Sequence, residues 1–251
     1  MLEEQGRWLK THGGSPTDQV RLDALRGEIL ARSGYVREAL PILEAVATNR
    51  LSTVQDWYIA AIVAASAGDH ASFERLSRIC WLRFGSTVEG GAAHYVLMGL
   101  YQQPMDERAL AMARGLLDRA DDGSIDSNLH INGVNAALAY REHRYPEALV
   151  LLDRFLAPPI SRPGRQQITD PTQQAPSLFL RAMLGAELGS ADEARRDFAQ
   201  ARAQLKLALG DKPGHDRGQS WWITYQAEIR QGEAEALFQA KGIPLPEPDA
   251  K

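Results

Sequence analysis

The sequence predicts an all-α chain, and three observations carry that expectation. Apolar residues recur three, four and seven apart almost everywhere, the spacing that gathers them on one helix face. Sustained alternation of the strand type is absent. Glycine-centred breaks interrupt the helical runs, at places where a left-handed residue closes a helix. The first run places Leu22, Leu25, Ile29 and Leu30 on one face, stops at Ser33-Gly34-Tyr35, and resumes with Ala39, Leu40, Leu43 and Val46. It reads as helix, turn, helix. Ala67-Gly68-Asp69 and Leu188-Gly189-Ser190 break the chain in the same way, and Glu142-His143-Arg144 takes the corresponding place before Tyr145.

Aligning each second helix on the residue five after its turn glycine gives Ala39, Phe73, Ala109, Ala148 and Ala194, spaced 34, 36, 39 and 46 residues apart. Small residues are expected there because adjacent helices cross closely and an alanine lets the backbones approach. The chain then divides into an N-terminal helix or leader (1–19) and helix pairs at about 20–53, 54–89, 90–127, 128–157 and 175–209. A Pro- and Gln-rich loop insertion occupies 158–176, a linker and capping helix 210–241, and a disordered or extended Pro-rich tail 242–251. An isolated pair would leave an apolar face bare, so stability comes from stacked neighbours and a cap with a polar outer face. In the expected cap, Trp221, Trp222 and Tyr225 open the helix and Ile229, Ala236 and Leu237 continue its apolar face. Glu228, Glu233 and Glu235 keep it soluble.

Gly34-Tyr35-Val36-Arg37-Glu38-Ala39-Leu40, Arg144-Tyr145-Pro146-Glu147-Ala148-Leu149 and Gly189-Ser190-Ala191-Asp192-Glu193-Ala194 resemble the signature turn and second-helix start of the tetratricopeptide repeat family. The resemblance covers roughly Val20 to Leu209 and is strongest in the first, fourth and fifth units. It implies an α-solenoid of about five helix pairs whose first helices line a concave groove. Departures from the pattern imply an irregular superhelix. Phe73 stands where the family prefers alanine, the turn Gln102-Gln103-Pro104-Met105 has no glycine, and Arg26-Gly27 and Arg181-Ala182 replace the usual bulky and small pair.

A narrower resemblance rests on the order and spacing of several segments. Phe73-Glu74-Arg75-Leu76-Ser77-Arg78, Arg83-Phe84-Gly85, a helix pair opening near Ala92, Asn128 to Leu156, and Trp221-Trp222 followed by Glu233-Ala234-Glu235-Ala236-Leu237 are similar to the C-terminal repeat region of large bacterial serine/threonine protein kinases of the planctomycete type. In that family the kinase domain precedes the repeats, and the repeats bind partners. This sequence has no Gly-rich phosphate loop, Val-Ala-Ile-Lys strand, His-Arg-Asp loop or Asp-Phe-Gly. The resemblance therefore implies the interaction module of a signalling kinase, encoded apart from the catalytic domain or detached from it.

Charge and cysteine content narrow the function classes. The 28 basic and 32 acidic residues give a net charge of -4, so no overall basic field draws the chain to nucleic acid or an anionic membrane. A single cysteine supports neither an internal disulfide nor a Cys-based zinc site. The longest apolar stretches, such as Ile59 to Ala67, are about half a membrane span. The start, Met1-Leu2-Glu3-Glu4, is acidic where a signal peptide would be basic. A cytoplasmic protein without a membrane or nucleic-acid partner is expected.

No motif carries a reaction. The six histidines, His12, His70, His94, His130, His143 and His215, include no His-Glu-x-x-His pair. Asp118 to Gly123 resembles a calcium loop, but Ala120 and Leu129 stand at ligand positions. Cys80, between Ile79 and Trp81, reads as a buried, inert thiol with no base to ionise it. The Gly210 to Gly218 loop lacks the Gly-Lys-Ser/Thr ending of a phosphate loop, and Ser161 to Arg165 is too short a basic patch for nucleic acid. No catalytic residue, metal or cofactor is expected. Projecting the repeat onto the chain puts Arg32, Tyr58, His94, Met98, Tyr101, Gln102, Tyr140, Arg141 and Phe179 on or near the groove. Aromatic and Arg side chains of this kind anchor protein or peptide partners. Tyr140, Met98 and Phe179 serve equally as stacking core between units. Asn128, Asn132 and Asn135 share a helix face that suits a partner backbone or water. The expected function is a non-enzymatic scaffold that binds a protein or peptide. The alternatives are a fragment of a serine/threonine kinase whose catalytic domain lies upstream, and a regulatory repeat domain with a nucleic-acid or small-molecule partner.

Overall fold

The computed structural model describes residues 15–87, 90–120, 125–156, 174–209 and 221–247, with eleven α-helices and no strand among them. The all-α expectation holds. The leader through Gly14, nearly all of the insertion with its Ser161 to Arg165 patch, the Gly210 to Gly218 loop and the Asp121 to Gly123 turn lie outside the described residues, as do the side chains of Asn128 and His130.

The helices come in consecutive pairs: α1 (Pro16–Arg32) with α2 (Val36–Thr48), α3 (Val54–Ser66) with α4 (His70–Phe84), α5 (Gly90–Leu100) with α6 (Glu107–Ala120), α7 (Ile125–Arg141) with α8 (Tyr145–Leu156), and α9 (Ala175–Glu187) with α10 (Ala191–Leu209). A last helix, α11 (Trp221–Lys241), follows them. Capping chemistry fixes where these helices begin. Ser15 accepts a bond from the Asp18 N–H, the Asp18 carboxylate accepts one from the Ser15 N–H, and Pro16 supplies a preset φ at the first helical position. α1 thus begins four residues before the expected first unit. Thr53 and Asp56 form the same box at the start of α3, and Asp69 caps α4 through the Ser72 N–H.

The turns inside four pairs are closed in one way. Tyr35 N–H donates to Leu30 O, Asp69 to Ala64 O, Arg144 to Ala139 O and Ser190 to Gly185 O, each six-to-one bond spanning a left-handed residue. That residue is Gly34, Gly68, His143 or Gly189, with φ of 82, 69, 60 and 81°. His143 therefore takes a glycine's place, as the sequence pattern suggests.

Every second helix then opens on an equivalent backbone bond: Ala39 to Tyr35 O, Phe73 to Asp69 O, Leu110 to Asp106 O, Ala148 to Arg144 O, and Ala194 to Ser190 O. The third unit is in register at Leu110, and the alignment on Ala109 is off by one. The cause is its turn, Tyr101 to Asp106, which contains Pro104 and no left-handed residue and is longer than the others. Asp106 resets the helix by accepting the Ala109 N–H on its carboxylate at 2.7 Å.

Packing follows this order. α2 touches α3, α4 touches α5, α6 touches α7 and α8 touches α9, while the first helices α3, α5, α7 and α9 also touch in succession. First helices lie between neighbours and are buried accordingly: Trp57 to Ala64 are eight consecutive buried residues. Glycines allow the tightest crossings. A Cβ on Gly27 would lie 2.6 Å from the Leu43 side chain, and one on Gly99 would overlap the indole of Trp57. Arg83 fastens α4 to the preceding loop, donating to the carbonyls of Asn49 (2.8 Å) and Ser52 (2.9 Å) and to the Ser52 hydroxyl (2.7 Å). Among the described residues, no helix is long and apolar enough to cross a membrane.

α11 has two halves with different neighbours. Its C-terminal half closes the last pair. Phe238 is fully buried with its ring 5.4 Å from that of Phe198, and Lys241 pairs with Glu187 at 2.7 Å. Its N-terminal half packs against α3 and reaches α1. The buried face differs from the one expected: Tyr225, Ala234 and Phe238 are buried, whereas Ala236 is exposed and Ile229 and Leu237 are half-buried. The tail is extended through Glu247, where Arg202 donates to Pro246 O at 3.0 Å and Glu247 O at 2.5 Å.

Candidate functional site

Side chains from the Trp221 to Glu233 stretch of α11 meet several of the residues assigned to the groove. The Tyr225 hydroxyl donates to Ala31 O at 2.7 Å, beside Arg32 in the last turn of α1. The Gln226 amide donates to the Tyr58 hydroxyl of α3 at 2.8 Å. The Arg230 guanidinium donates to Tyr101 O at 3.0 Å just beyond α5, and its carbon sits 4.8 Å from the Tyr101 ring centroid. Glu233 accepts from Arg141 of α7 at 2.6 Å and from Arg230 at 2.5 Å. One helix is thereby bonded to four others.

The ionic part of this contact is withdrawn from water. The Arg230 side chain is 3% exposed, that of Arg141 12% and that of Glu233 22%. Two guanidinium groups share one carboxylate, and both also donate to Tyr101 O. Burial alone would push the Glu233 carboxyl up, but Arg230 and Arg141 outweigh it and hold the group below its ordinary value. Burial and the neighbouring Arg230 lower Arg141, against the pull of Glu233. Two buried polar atoms beside this contact, Arg141 Nε and Gln102 Oε1, have no hydrogen-bond partner among the described residues. Burial pushes the Tyr58 hydroxyl well up, with the nearby Tyr101 and Tyr95 adding to the effect, so it remains a neutral donor and acceptor.

Of the nine predicted groove residues, Tyr58, Tyr101 and Arg141 meet α11 directly, and Arg32 is adjacent to the Ala31 carbonyl that receives Tyr225. The other five have different surroundings. The Gln102 amide turns back to Met98 O at 2.7 Å, and the Met98 sulfur accepts the Tyr101 hydroxyl at 2.8 Å. His94 is edge-on to Tyr95, whose ring lies 5.3 Å from that of Tyr58. Tyr140 is half-buried, lies tilted at 46° to Tyr145 with the ring centroids 5.7 Å apart, and has its hydroxyl pushed up by burial to about 12. Phe179 is fully buried edge-on to Phe198, as stacking core. Asn135 accepts from Arg114 at 2.5 Å.

Sequence reasoning placed Tyr225 and Glu233 in the cap and passed over Gln226 and Arg230. A signal for them is present. Gln226, Arg230 and Glu233 are four and three apart, so they form a polar stripe on one helix face. Cys80 is fully buried and burial pushes its thiol strongly up, which leaves it a poor nucleophile. Among the described residues, no group of three or more His, Cys, Asp and Glu is arranged to hold a metal ion. What the arrangement can do is grip a helix, through a hydroxyl, two carbonyls and a guanidinium that project from successive first helices. Comparisons with protein-family models, with curated proteins and with solved structures found no match.

Proposed function

We propose that the chain is a non-enzymatic interaction scaffold, a tetratricopeptide-like α-solenoid that binds a protein or peptide across the first helices of its pairs. The supporting observation is the contact made by α11: Tyr58, Tyr101 and Arg141, picked out as groove residues by repeat position, hold a helix through directed polar bonds. Interfaces between proteins are rich in the same residue types, aromatic and arginine. Net charge -4 favours a protein partner over nucleic acid.

The decisive experiment is affinity capture from a cytoplasmic extract followed by mass spectrometry, comparing the wild-type chain with Arg141→Ala. That substitution leaves Glu233 paired with Arg230, so helicity by circular dichroism should be kept while a groove-bound partner is lost. Equal capture by both chains would place the partner elsewhere. Membership in a signalling kinase rests on the resemblance of segments such as Phe73 to Arg78 and Glu233 to Leu237. An upstream reading frame that continues into a Gly-rich loop and a His-Arg-Asp motif would support it, and an in-frame stop would remove it.

A further inference from the structure

The seat of α11 differs in composition from the rest of the interior. Of seven buried polar residues among those described, Thr224, Gln226 and Arg230 are on α11, and Gln102 flanks the carbonyl that Arg230 grips. The helix pairs, by contrast, bury long apolar runs such as Trp57 to Ala64. A contact made by Trp221, Tyr225, Gln226, Arg230 and Glu233 has the make-up of an interface between molecules, with aromatic and arginine anchors, and not that of a core.

It is also an imperfectly satisfied contact. Desolvating an ion pair offsets much of its attraction, so such a pair adds little net stability unless every atom is satisfied. Here two cations share one anion, and Arg141 Nε and Gln102 Oε1 have no partner among the described residues. The apolar anchoring of the C-terminal half, through Ala234 and Phe238, does not depend on these bonds. The N-terminal turns are held by the buried Trp221, Tyr225 and Ala227 together with these polar bonds.

We infer that the Trp221 to Glu233 stretch of α11 is a built-in occupant of the groove, and that the partner is a helix of like chemistry that takes its place. This rests on the reading of the groove as a protein-binding surface and adds the partner's class. The helix presents a carboxylate to Arg141, a donor to the Tyr101 carbonyl three residues before it, and, about one turn earlier again, an amide for Tyr58 and an aromatic hydroxyl for the Ala31 carbonyl. An extended peptide does not place those groups, because the 226, 230, 233 spacing aligns them only on a helix.

The test uses a fluorescein-labelled synthetic peptide of residues 219–241, titrated by anisotropy into three full-length chains: wild type, Tyr225→Phe/Gln226→Ala, and Glu233→Gln. The first variant removes the bonds of α11 to Ala31 and Tyr58, and the second weakens its hold on Arg141. Neither alters the groove. Loss of two hydrogen bonds should expose the groove and tighten peptide binding by about tenfold or more. The same peptide carrying Glu233→Gln should bind about tenfold more weakly, which excludes non-specific adhesion. Equal binding to all chains, or none with helicity retained, overturns the inference. Unfolding of either variant also overturns it, since α11 would then be integral to the fold. The outcomes separate from those for the function: a partner lost with Arg141→Ala but no peptide exchange sinks only the inference, whereas peptide exchange with no groove-dependent partner sinks only the scaffold reading.

Discussion

Two cations and one anion meet where α11 reaches Arg141 and the Tyr101 carbonyl, and this imbalance predicts an asymmetry between two truncations. Glu233→Ala leaves the Arg141 and Arg230 guanidiniums, 12% and 3% exposed, with no carboxylate at this contact. Breaking a buried pair in this way costs about 3–5 kcal/mol. The 22% exposure of Glu233 puts the expected loss at the low end, about 3 kcal/mol. Arg141→Ala, by contrast, leaves Glu233 bonded to Arg230, a balanced pair, and removes charge-assisted hydrogen bonds worth about 1.5 kcal/mol. For a chain of this size each kcal/mol shifts the midpoint by about 2–4 °C, so the two variants should melt about 6–12 °C and 3–6 °C below wild type. Thermal unfolding followed by far-ultraviolet circular dichroism reads both directly. The reasoning fails if Arg141→Ala costs as much as Glu233→Ala, or if Glu233→Ala melts with the wild type.

Three further outcomes follow from the same geometry. Glu233 has a folded-state value held below its ordinary 4.5, so its stabilising effect is complete above that pH and fades as the pH falls through the lowered value. Acid titration of stability should therefore flatten in Glu233→Gln relative to wild type, and an unchanged slope would count against the pairing. His143 sits at φ 60° in the place the other turns give to glycine, so His143→Gly should raise stability by about 1 kcal/mol in urea unfolding despite losing the Tyr145 hydroxyl contact. Gly99→Ala should lower stability by about 1–3 kcal/mol and shift tryptophan emission, because the added methyl overlaps the buried Trp57 ring.

The local half of this fold is legible in the sequence. Helical spacing, left-handed turn residues and small residues at Ala39, Ala148 and Ala194 are signals contained within a few turns of chain, and they mark out paired helices from sequence alone. The third unit shows where such signals stop: its turn has no left-handed residue, so the register slips from Leu110 to Ala109. Repeat position picks out Tyr58, Tyr101 and Arg141, which meet α11, and with them Phe179, which is a fully buried core ring. The placement of α11 is set by bonds between residues such as Ala31 and Tyr225, which are remote in sequence and carry no periodic signal. Its polar stripe was readable, but a stripe of Gln, Arg and Glu on a helix is ordinarily a solvated face, and only burial shows that this one is not.

Native-state hydrogen exchange on the wild-type chain tests most directly whether the contact of α11 with Ala31, Tyr58, Tyr101 and Arg141 opens apart from the rest of the fold. Amides of Trp221 to Arg230 should exchange through a partial opening, at least about tenfold faster than those of α3 and α9, while the Ala234 to Phe238 turn stays protected with the last pair. Identical protection across α11, α3 and α9, lost only with global unfolding, would make α11 a permanent strut and contradict the account.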